Sequence, residues 1–412
     1  MCFDKNGKVV KIRDETYLIR RGPDARCEVK LQNTLAVFYR LAIVDVTGGM
    51  QPFAYNILED KFAHGEDVNL FNKPDLVTLA NGEIYNHKEL ESQYNISCYT
   101  KSDCEIILHL FRQIGILDTV KSLKGEWAFV LRDQYKENNV IYFARDPTGR
   151  KPLFYAKSET GIEVCSLTSG ISQDAISGGL VRQCVPGVLY CYDCKTNTIS
   201  AIDFKHWVYS PKETLRTEET YSLERSIYGI FVRAVVKRIE QADRPVGFLL
   251  SGGFDSSLVL SIALASNKLK HPPHVFTFGF EEKASDVLAA ERMVKFIQKT
   301  YGEHSIIWHK VIQNINVGHQ AIPEVIQALE TYDTTTIRAS TPMYLLSKYI
   351  AQNTDVKVIL SGEGSDELFG GYMYFKYIPN EIAFVSEIAK RLNELYLYDC
   401  LRADRSTAAH GL

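Results

Sequence analysis

The sequence predicts two domains of different fold class, an α+β domain built on antiparallel sheets followed by an α/β domain built on a parallel sheet. A chain of 412 residues is longer than one ordinary core supports, since domains usually hold about 100–200 residues. Between residues 30 and 200, short apolar runs separated by turn residues are typical of strands. After residue 220, apolar runs alternate with amphipathic helical patterns, which favours β-then-α units.

The first domain is expected to consist mostly of strands. The runs that indicate them are LAVFYRLAIVDV, LVTLANGEIY, EWAFVLRD, NVIYFARD and GVLYCYD. One helix is expected after Asp103, where apolar residues recur at helical spacing from Ile106 to Ile114. Residues 54–75 are rich in Asn, Asp, Glu and Lys and have no clear period, so we expect an exposed loop there.

The second domain is expected to begin after a linker. Pro211 stands among Thr and Glu residues without periodicity, so we divide the chain into residues 1–200, a linker 201–220 and residues 221–412. A long amphipathic helix from Tyr221 precedes the strand VGFLL, and further units start at HVFTFGF and VKVIL. This order predicts a parallel sheet with its ligands at the carboxyl ends of the strands.

The composition excludes some classes of function. With 45% hydrophobic residues, 24% charged residues and a net charge of -3, the chain offers no basic face for nucleic acid. No run approaches the roughly 20 apolar residues of a membrane span, and MCFDKNGKVV lacks the apolar core of a signal peptide. We therefore expect a cytosolic protein whose nine cysteines are reduced. Cys191 and Cys194 lack a second pair for zinc, so a β-hairpin edge is the preferred interpretation there.

A glycine-rich loop follows the strand VGFLL and opens a helix. Its glycines let the backbone approach a phosphate, and the helix N-terminus adds unpaired N–H groups. No Gly-Lys-Ser/Thr follows, so this is not a loop that transfers a γ-phosphate. It resembles the pyrophosphate loop of ATP pyrophosphatases, with a functionless turn as the alternative. The candidate ATP-binding residues of this loop are Ser251, Gly252, Gly253, Asp255, Ser256 and Ser257.

A second polar loop, residues 361–367, follows the strand VKVIL. Its carboxylates would repel ATP unless a cation intervened, which implies Mg²⁺ with Asp255 and Asp366 as candidate ligands. Glu363 is then available as a general base or to orient a nucleophile. A solvated acidic turn is the alternative interpretation.

Three segments of the second half, ETYDTTTIRASTPMY (330–344), SGEGSDELFGGY (361–372) and LYDCLRA (397–403), resemble asparagine synthetase signatures. The resemblance implies an adenine-nucleotide α-hydrolase-like (PP-loop) domain that uses ATP and Mg²⁺. Aspartate would be activated to β-aspartyl-AMP, and ammonia would then give asparagine, AMP and pyrophosphate. It also implies nucleotide contacts from Leu249, Phe278, Ser361 and Gly362, with Phe278 replacing a smaller aliphatic residue, and a role for Glu363 at the intermediate.

The same resemblance implies polar residues that bind aspartate or pyrophosphate. Ion pairs between helices are the alternative role for these residues. These candidates are Asp333, Arg338, Arg391, Asp399 and Arg402.

Cys2 follows the initiator Met directly, and its small size permits removal of Met1. The freed α-amine, with a pKa of about 7.7–8.0, can act as the base for the thiol of its own residue. Cys2 is therefore a candidate nucleophile.

Four further motifs, RRGPD (20–24), YRLAIVD (39–45), NGEIYN (81–86) and SDCE (102–105), resemble those of class II glutamine amidotransferases and occur in the same order. The resemblance implies an Ntn-hydrolase-like αββα sandwich. Asn81 and the Gly82 N–H would form an oxyanion hole, with a type I′ hairpin turn as the alternative for this pair. Glutamine would be held by Arg40, Leu41, Ala42, Ile43, Val44, Glu83 and Asp103.

Both ends of the chain depart from the pattern of the resemblance. Relatives begin Met-Cys-Gly-Ile, so we expect the first strand and part of a helix to be shortened or replaced here. They also continue past RSTAAHGL, so we expect an incomplete second domain. A non-catalytic or ammonia-only relative, or a β-lactam synthetase-like ligase, is the rival hypothesis. Small molecules are the expected partners, and a homodimer is compatible with the sequence.

Overall fold

Two antiparallel sheets make up the first half of the chain. The six-stranded sheet has the order β11-β9-β10-β1-β3-β2, and its strands are β1 (Cys2–Asp4), β2 (Ala25–Leu31), β3 (Thr34–Arg40), β9 (Phe154–Lys157), β10 (Gly161–Cys165) and β11 (Val181–Gln183). The seven-stranded sheet has the order β13-β12-β8-β7-β6-β4-β5, and its strands are β4 (Phe53–Asn56), β5 (Lys61–His64), β6 (Leu76–Ile84), β7 (Gly125–Asp133), β8 (Val140–Arg145), β12 (Val188–Asp193) and β13 (Thr198–Asp203).

These sheets share a core and carry helices on their outer faces. Phe3 and Val29 of one sheet pack with Val77 and Val130 of the other. The helices of this half are α1 (Thr16–Arg21), α2 (His87–Tyr94), α3 (Ile106–Ser122) and α4 (Gln173–Ser177). Helix α3 covers the outer face of the seven-stranded sheet, and α4 packs against the six-stranded sheet. The predicted αββα arrangement is confirmed.

Strand β7 shows why strands in the first half of the sequence appear as continuous apolar runs. Successive side chains of a strand point to opposite faces of its sheet. Ala128 and Val130 enter the core between the sheets, whereas Trp127, Phe129 and Leu131 enter the core under the helices. Because both faces are buried, the strand needs apolar residues at nearly every position.

Two expectations for the first half need correction. Residues 54–75 are not one exposed loop, because β4, β5 and a 3₁₀ helix, Gly65–Leu70, lie there. The polar residues that suggested a loop lie partly in the turn between β4 and β5 and partly on and after the 3₁₀ helix, while Tyr55 and Val68 are buried. Two helices, α2 and α4, were missed. The first strand, which was expected to be shortened or replaced, consists of three residues and pairs with both β10 and β3.

The second half contains one parallel sheet of order β16-β15-β14-β17. Its strands are β14 (Val246–Leu249), β15 (His274–Gly279), β16 (Ile307–Ile312) and β17 (Val358–Leu360). The helices are α5 (Thr217–Gln241), α6 (Phe254–Ala265), α7 (Ser285–Tyr301), α8 (Ile315–Leu329), α9 (Thr334–Asn353), α10 (Ser365–Phe369), α11 (Glu381–Glu394) and α12 (Asp399–Ala408).

Helices bury both faces of the parallel sheet. Phe248 packs with Leu260 of α6 and Val294 of α7 on one face, and Phe276 packs with Leu346 of α9 on the other. Since β14 and β17 are neighbours and run in parallel, the loops that follow them leave the same edge of the sheet. The predicted parallel α/β architecture is confirmed.

The computed structural model describes residues 1–7, 12–71, 73–205 and 217–412. Contacts divide the chain into Met1–His206 and Trp207–His410, with the last two residues assigned separately. Part of the expected linker, residues 206–216, lies outside the described residues. Among the described helices, none combines the length and the apolar character that crossing a bilayer requires. All nine cysteines are free thiols, and Cys191 lies in the hairpin of β12 and β13.

Candidate active sites

Asn81 and Gly82 lie inside strand β6, where they pair with Ala128 and Trp127 of β7. The hairpin-turn alternative is therefore wrong. Gly82 has a φ of +133°, and a Cβ there would lie 1.8 Å from the carbonyl oxygen of Glu126, so only glycine fits. The Asn81 Nδ2 is buried and has no hydrogen-bond partner among the described residues. A buried donor without an acceptor is costly, and a bound oxyanion would satisfy it.

The end of β3 carries Arg40 into a tightly bonded loop. Its guanidinium donates to the carbonyl oxygens of Asp45 and Val44, the latter at 3.5 Å. Asp24 of the RRGPD motif accepts the Ala42 N–H at 2.8 Å, and the Asp24 N–H donates to the Arg40 carbonyl at 2.9 Å. The candidate glutamine-binding residues Leu41 to Val44 are thus held between Arg40 and Asp45.

Asp103 is buried beside the end of β6, with 5% of its surface exposed. Its Oδ2 accepts the Ile84 N–H at 2.5 Å, and the neighbouring Cys104 thiol donates to the Gly82 carbonyl at 3.3 Å. Glu83 lies between these two contacts on the same strand. Burial raises the pKa of Asp103. A cation such as an α-ammonium group would offset that cost and favour the ionised carboxylate.

Cys2 lies on β1, opposite Leu35 of β3 and Glu163 of β10. Burial raises the pKa of its thiol to about 12, so the thiol is protonated near neutral pH. Its neighbour Phe3 points into the core between the sheets. Asn81 belongs to the other sheet, and no hydrogen bond joins it to Cys2 within the described part of the chain. Hydrogen bonds therefore connect Arg40, Asp103 and β6, and β1, which carries Cys2, pairs with β3, which carries Arg40.

Three polar residues of this region were not singled out from the sequence. Gln51 is buried, and its side chain accepts the Ala80 N–H at 2.7 Å and donates to the Ala80 carbonyl at 3.0 Å. Asp45 accepts the N–H groups of Gly48 and Lys101, both at 3.1 Å. Glu105 accepts four hydrogen bonds. Asp45 and Glu105 stand within the quoted motifs, but Gln51 carries no sequence signal.

A cavity of about 340 Å³ lies at the carboxyl edge of the parallel sheet. Candidate residues from four separate segments line it. They are Leu249, Ser251, Gly253, Asp255, Ser256, Phe278, Ser361, Gly362, Glu363, Asp366 and Arg402. Helix α9 supplies the apolar wall, with Ala339, Pro342, Met343 and Leu346.

The two loops at this edge touch each other. A Cβ on Gly362 would lie 2.8 Å from the Cβ of Asp255 and 2.9 Å from the Ser256 nitrogen, which explains the glycine. In the first loop, the hydroxyls of Ser251 and Ser256 lie 3.1 Å apart. Gly252 has a φ of +77° and packs against α7. Gly252 and Ser257 support this loop without lining the cavity, and the Ser257 hydroxyl is buried without a partner among the described residues.

Carboxylates are concentrated beside this loop contact. The pKa of Asp366 is raised by burial and by Asp255, Glu367 and Glu363. Clustered negative charge of this kind is stabilised by a cation. Two carboxylates are what Mg²⁺ usually takes from a protein when phosphates complete its coordination, so Asp255 and Asp366 fit that ion.

Arg402 joins the acidic loop to helix α12. It donates to Glu363 and, at 2.7 Å, to Asp399. Burial, Glu367 and Glu363 raise the pKa of Asp399 to about 7, against the opposing effect of Arg402. Asp399 itself does not line the cavity but holds a residue that does.

Three further candidates for aspartate or pyrophosphate do not line the cavity. Asp333 caps helix α9 and accepts the Thr336 N–H at 2.7 Å. Arg338 is exposed on the same helix. Arg391 pairs with Glu387 at 2.8 Å on α11. This ion pair lies within one helix, whereas the alternative interpretation of these residues was ion pairs between helices.

Comparison with known families divides the chain into the same two halves. The family described as glutamine amidotransferase domain matches residues 2–203, and the family described as asparagine synthase matches residues 226–389.

Full-length relatives extend this similarity over nearly the whole chain. The asparagine synthetase [glutamine-hydrolyzing] of Homo sapiens is 39% identical, over 96% of this chain and 70% of that protein. The enzyme of the same description from Gallus gallus is 40% identical with the same coverage. A solved glutamine-dependent NAD⁺ synthetase from Acinetobacter baumannii aligns with 68% of this chain and 44% of its own, at a TM-score of 0.26 and 14% identity. So weak a similarity supports no inference.

Proposed function

The chain belongs to the family of glutamine-hydrolysing asparagine synthetases, and we propose that it makes asparagine from aspartate and ATP with ammonia released from glutamine. The observation that carries this proposal is the contact between residues 251–257 and 361–367 at one cavity. This contact places a candidate phosphate-binding loop beside a carboxylate cluster and a candidate base. We assign residues 221–412 to this synthesis and residues 1–200 to glutamine hydrolysis.

In the synthetase site, the first loop and the N-terminus of α6 would bind the phosphates of ATP through backbone N–H groups and the hydroxyls of Ser251 and Ser256. Mg²⁺ held by Asp255 and Asp366 would neutralise the departing pyrophosphate. The β-carboxylate of aspartate attacks the α-phosphorus, the bond to pyrophosphate breaks, and β-aspartyl-AMP forms. Phe278 and Leu249 offer an apolar surface to the adenosine.

Ammonia then attacks the activated carbonyl carbon, and AMP leaves. Glu363 is the proposed acceptor of the proton that ammonia loses, since it lines the cavity. Arg402 forms an ion pair with Glu363. Asp399 keeps Arg402 in position through their 2.7 Å hydrogen bond.

In the amidotransferase site, the proposed nucleophile is the Cys2 thiol, with the α-amine of Cys2 as its base once Met1 is removed. The amine takes the thiol proton, sulfur bonds to the amide carbon of glutamine, and the C–N bond breaks as the amine passes that proton to the leaving nitrogen, which departs as ammonia. Asn81 Nδ2 and the Gly82 N–H would stabilise the oxyanion. Water then hydrolyses the thioester to glutamate. Arg40 and Asp103 would hold the α-carboxylate and the α-ammonium.

We also propose a cytosolic location, because all nine cysteines are free thiols and reduced thiols are typical of that compartment. A homodimer is compatible with this proposal, and sedimentation would measure it.

Pyrophosphate release tests the proposed function. The full chain is incubated with ATP, Mg²⁺ and aspartate, and either glutamine or ammonium is added. We expect pyrophosphate and asparagine with both donors. Asparagine with ammonium alone would instead support the ammonia-only alternative. No aspartate-dependent pyrophosphate with either donor would contradict the proposal.

A further inference from the structure

A buried carboxylate, Glu105, lies two residues beyond Asp103. It is 0% exposed, and both of its oxygens are fully engaged. Oε1 accepts the Tyr99 N–H at 2.6 Å and contacts His109 Nε2 at 2.9 Å. Oε2 accepts the N–H of Thr100 at 2.8 Å and its hydroxyl at 2.6 Å. One side chain thus anchors the backbone of residues 99–100 to helix α3.

His109 is held in place by aromatic rings. Its ring stacks with those of Tyr99 at 6.0 Å and Phe62 at 6.1 Å, and it meets the edge of Tyr55 at 6.3 Å. His109 is 6% exposed. Because a carboxylate only accepts hydrogen bonds, Nε2 must carry the proton in this contact. The rings therefore fix a donor that faces Glu105.

The anchored segment connects the two parts of the proposed glutamine pocket. The Lys101 N–H donates to Asp45 Oδ2 at 3.1 Å, and the Asp45 carbonyl accepts from the Arg40 guanidinium. In the other direction the segment runs directly into Asp103, which is bonded to the Ile84 N–H. Residues 99–103 therefore join the loop after Arg40 to the end of β6.

A metal site is the competing interpretation of this region. Ligand atoms of Cys98, Glu105 and His109 all lie within 4.8 Å of one another. However, each oxygen of Glu105 already has two hydrogen-bond contacts, so the carboxylate has no free lone pair to offer. The bonding pattern is that of an anchor.

We propose that Glu105 and His109 are positioning residues for glutamine, which hold residues 99–103 so that Asp103 and the Arg40 loop bind the two ends of the same substrate. This inference rests on the proposed hydrolysis of glutamine. Neither side chain is proposed to touch the substrate. Consistent with the anchor, burial opposes ionisation of Glu105, but its hydrogen bonds from His109, Thr100 and Tyr99 outweigh that effect and lower its pKa.

Matched variants of the full chain separate positioning from a general loss of structure. Glu105→Gln removes the charge and sets an amide NH₂ against backbone N–H groups. His109→Phe keeps the aromatic stacking but removes the donor, whereas His109→Gln restores a donor. Glu137→Gln makes the same change of charge at an exposed residue in the turn between β7 and β8 and serves as the control.

Two quantities are compared between the variants and the parent protein. They are the KM for glutamine in glutamate release and the Kd for glutamine from titration calorimetry. We expect Glu105→Gln and His109→Phe to raise both about tenfold, which corresponds to about 1.4 kcal/mol. The kcat for glutamine, and pyrophosphate release with ammonium, should change less than about threefold. His109→Gln and Glu137→Gln should resemble the parent protein.

The outcomes distinguish this inference from the proposed function. Unchanged KM and Kd in Glu105→Gln and His109→Phe would overturn the positioning role while glutamine hydrolysis stands. A parent protein that binds glutamine without hydrolysing it would contradict the proposed hydrolysis, and the Kd values would still test positioning. A parallel loss of ammonium-dependent activity in both variants would indicate a structural role and overturn the inference.

Discussion

At the scale of single residues, burial determines what a side chain can do chemically. Asn81 is an ordinary amide, but its Nδ2 is buried without a partner among the described residues. The free energy of leaving a buried donor unpaired is about 1–3 kcal/mol, and a developing oxyanion recovers it. Burial also raises the pKa of the Cys2 thiol, which keeps the thiol protonated, so the nucleophile needs a base to remove its proton.

Replacing Asn81 with Ala tests the oxyanion role. Loss of one such donor typically lowers kcat by about 10²–10³-fold. We therefore expect glutamate release to fall by about that factor, while ammonium-dependent pyrophosphate release stays unchanged. Asn393→Ala, which removes an exposed amide on α11, is the control. A fall in glutamate release of less than about threefold would show that Asn81 does not contribute to an oxyanion hole.

The pH profile of glutamine hydrolysis tests the base of Cys2. While Met1 is present, burial raises the pKa of the thiol to about 12, so thiolate is scarce at neutral pH. An α-amine with a pKa of about 7.7–8.0 accepts a proton only when it is itself deprotonated. Glutamate release should therefore rise as pH increases from about 6 to 9, with a midpoint near the amine pKa.

Mass spectrometry of the same sample shows whether Met1 has been removed. In the structure described, the ammonium group at the N-terminus belongs to Met1 and donates to the Val164 carbonyl at 2.8 Å. Hydrolysis by protein that retains Met1 would show that another group serves as the base.

At the scale of elements, the position of two neighbouring parallel strands creates the nucleotide cavity. Strands β14 and β17 pair from Val246↔Val358 to Phe248↔Leu360, so their following loops emerge side by side. The close approach of Gly362 to Asp255 then depends on the absence of a side chain. Neither loop could form this cavity alone.

Gly362→Ala tests that loop contact. A methyl group would lie 2.8 Å from the Asp255 Cβ, which is closer than carbon atoms pack, so the loops must separate. We expect pyrophosphate release to fall at least tenfold with either nitrogen donor, and glutamate release to be retained. Gly229→Ala on helix α5, where the nearest atom is a flexible Arg233 nitrogen at 3.3 Å, should leave both activities unchanged.

At the scale of the whole molecule, the chain consists of two compact units, each with its own hydrophobic cores and its own candidate site. The first unit offers uncharged donors to an oxyanion, and the second offers carboxylates to a cation. The two sites should therefore respond differently to a change in metal concentration.

Removal of divalent cations tests this separation. With excess chelator we expect pyrophosphate release to stop, because Asp255 and Asp366 would then repel the phosphates of ATP. Glutamate release should continue at its initial rate, and added Mg²⁺ should restore pyrophosphate release. Pyrophosphate release that persists in chelator would contradict the assignment of Asp255 and Asp366 as metal ligands.

Local patterns of the sequence were enough to identify both fold classes and most of the cavity. The loop 251–257 follows its strand directly and opens α6, so strand, glycines and helix start are all visible within a dozen residues. The segments 81–86 and 102–105 indicated a pocket through their resemblance to motifs of class II glutamine amidotransferases. Such signals are local because strand alternation, turn chemistry and loop composition are properties of neighbouring residues.

Only the tertiary structure decided the features that depend on distant pairing. Asn81 and Gly82 are typical turn residues, yet pairing with β7 keeps them within a strand. Residues 53–56 form a strand because β6 lies beside them, and Asp399 acquires its role by holding Arg402. The sequence by itself determines which reactive side chains are present. Their burial, the register of the strands and the contact between the two loops depend on residues far apart in sequence, so only the tertiary structure decides them.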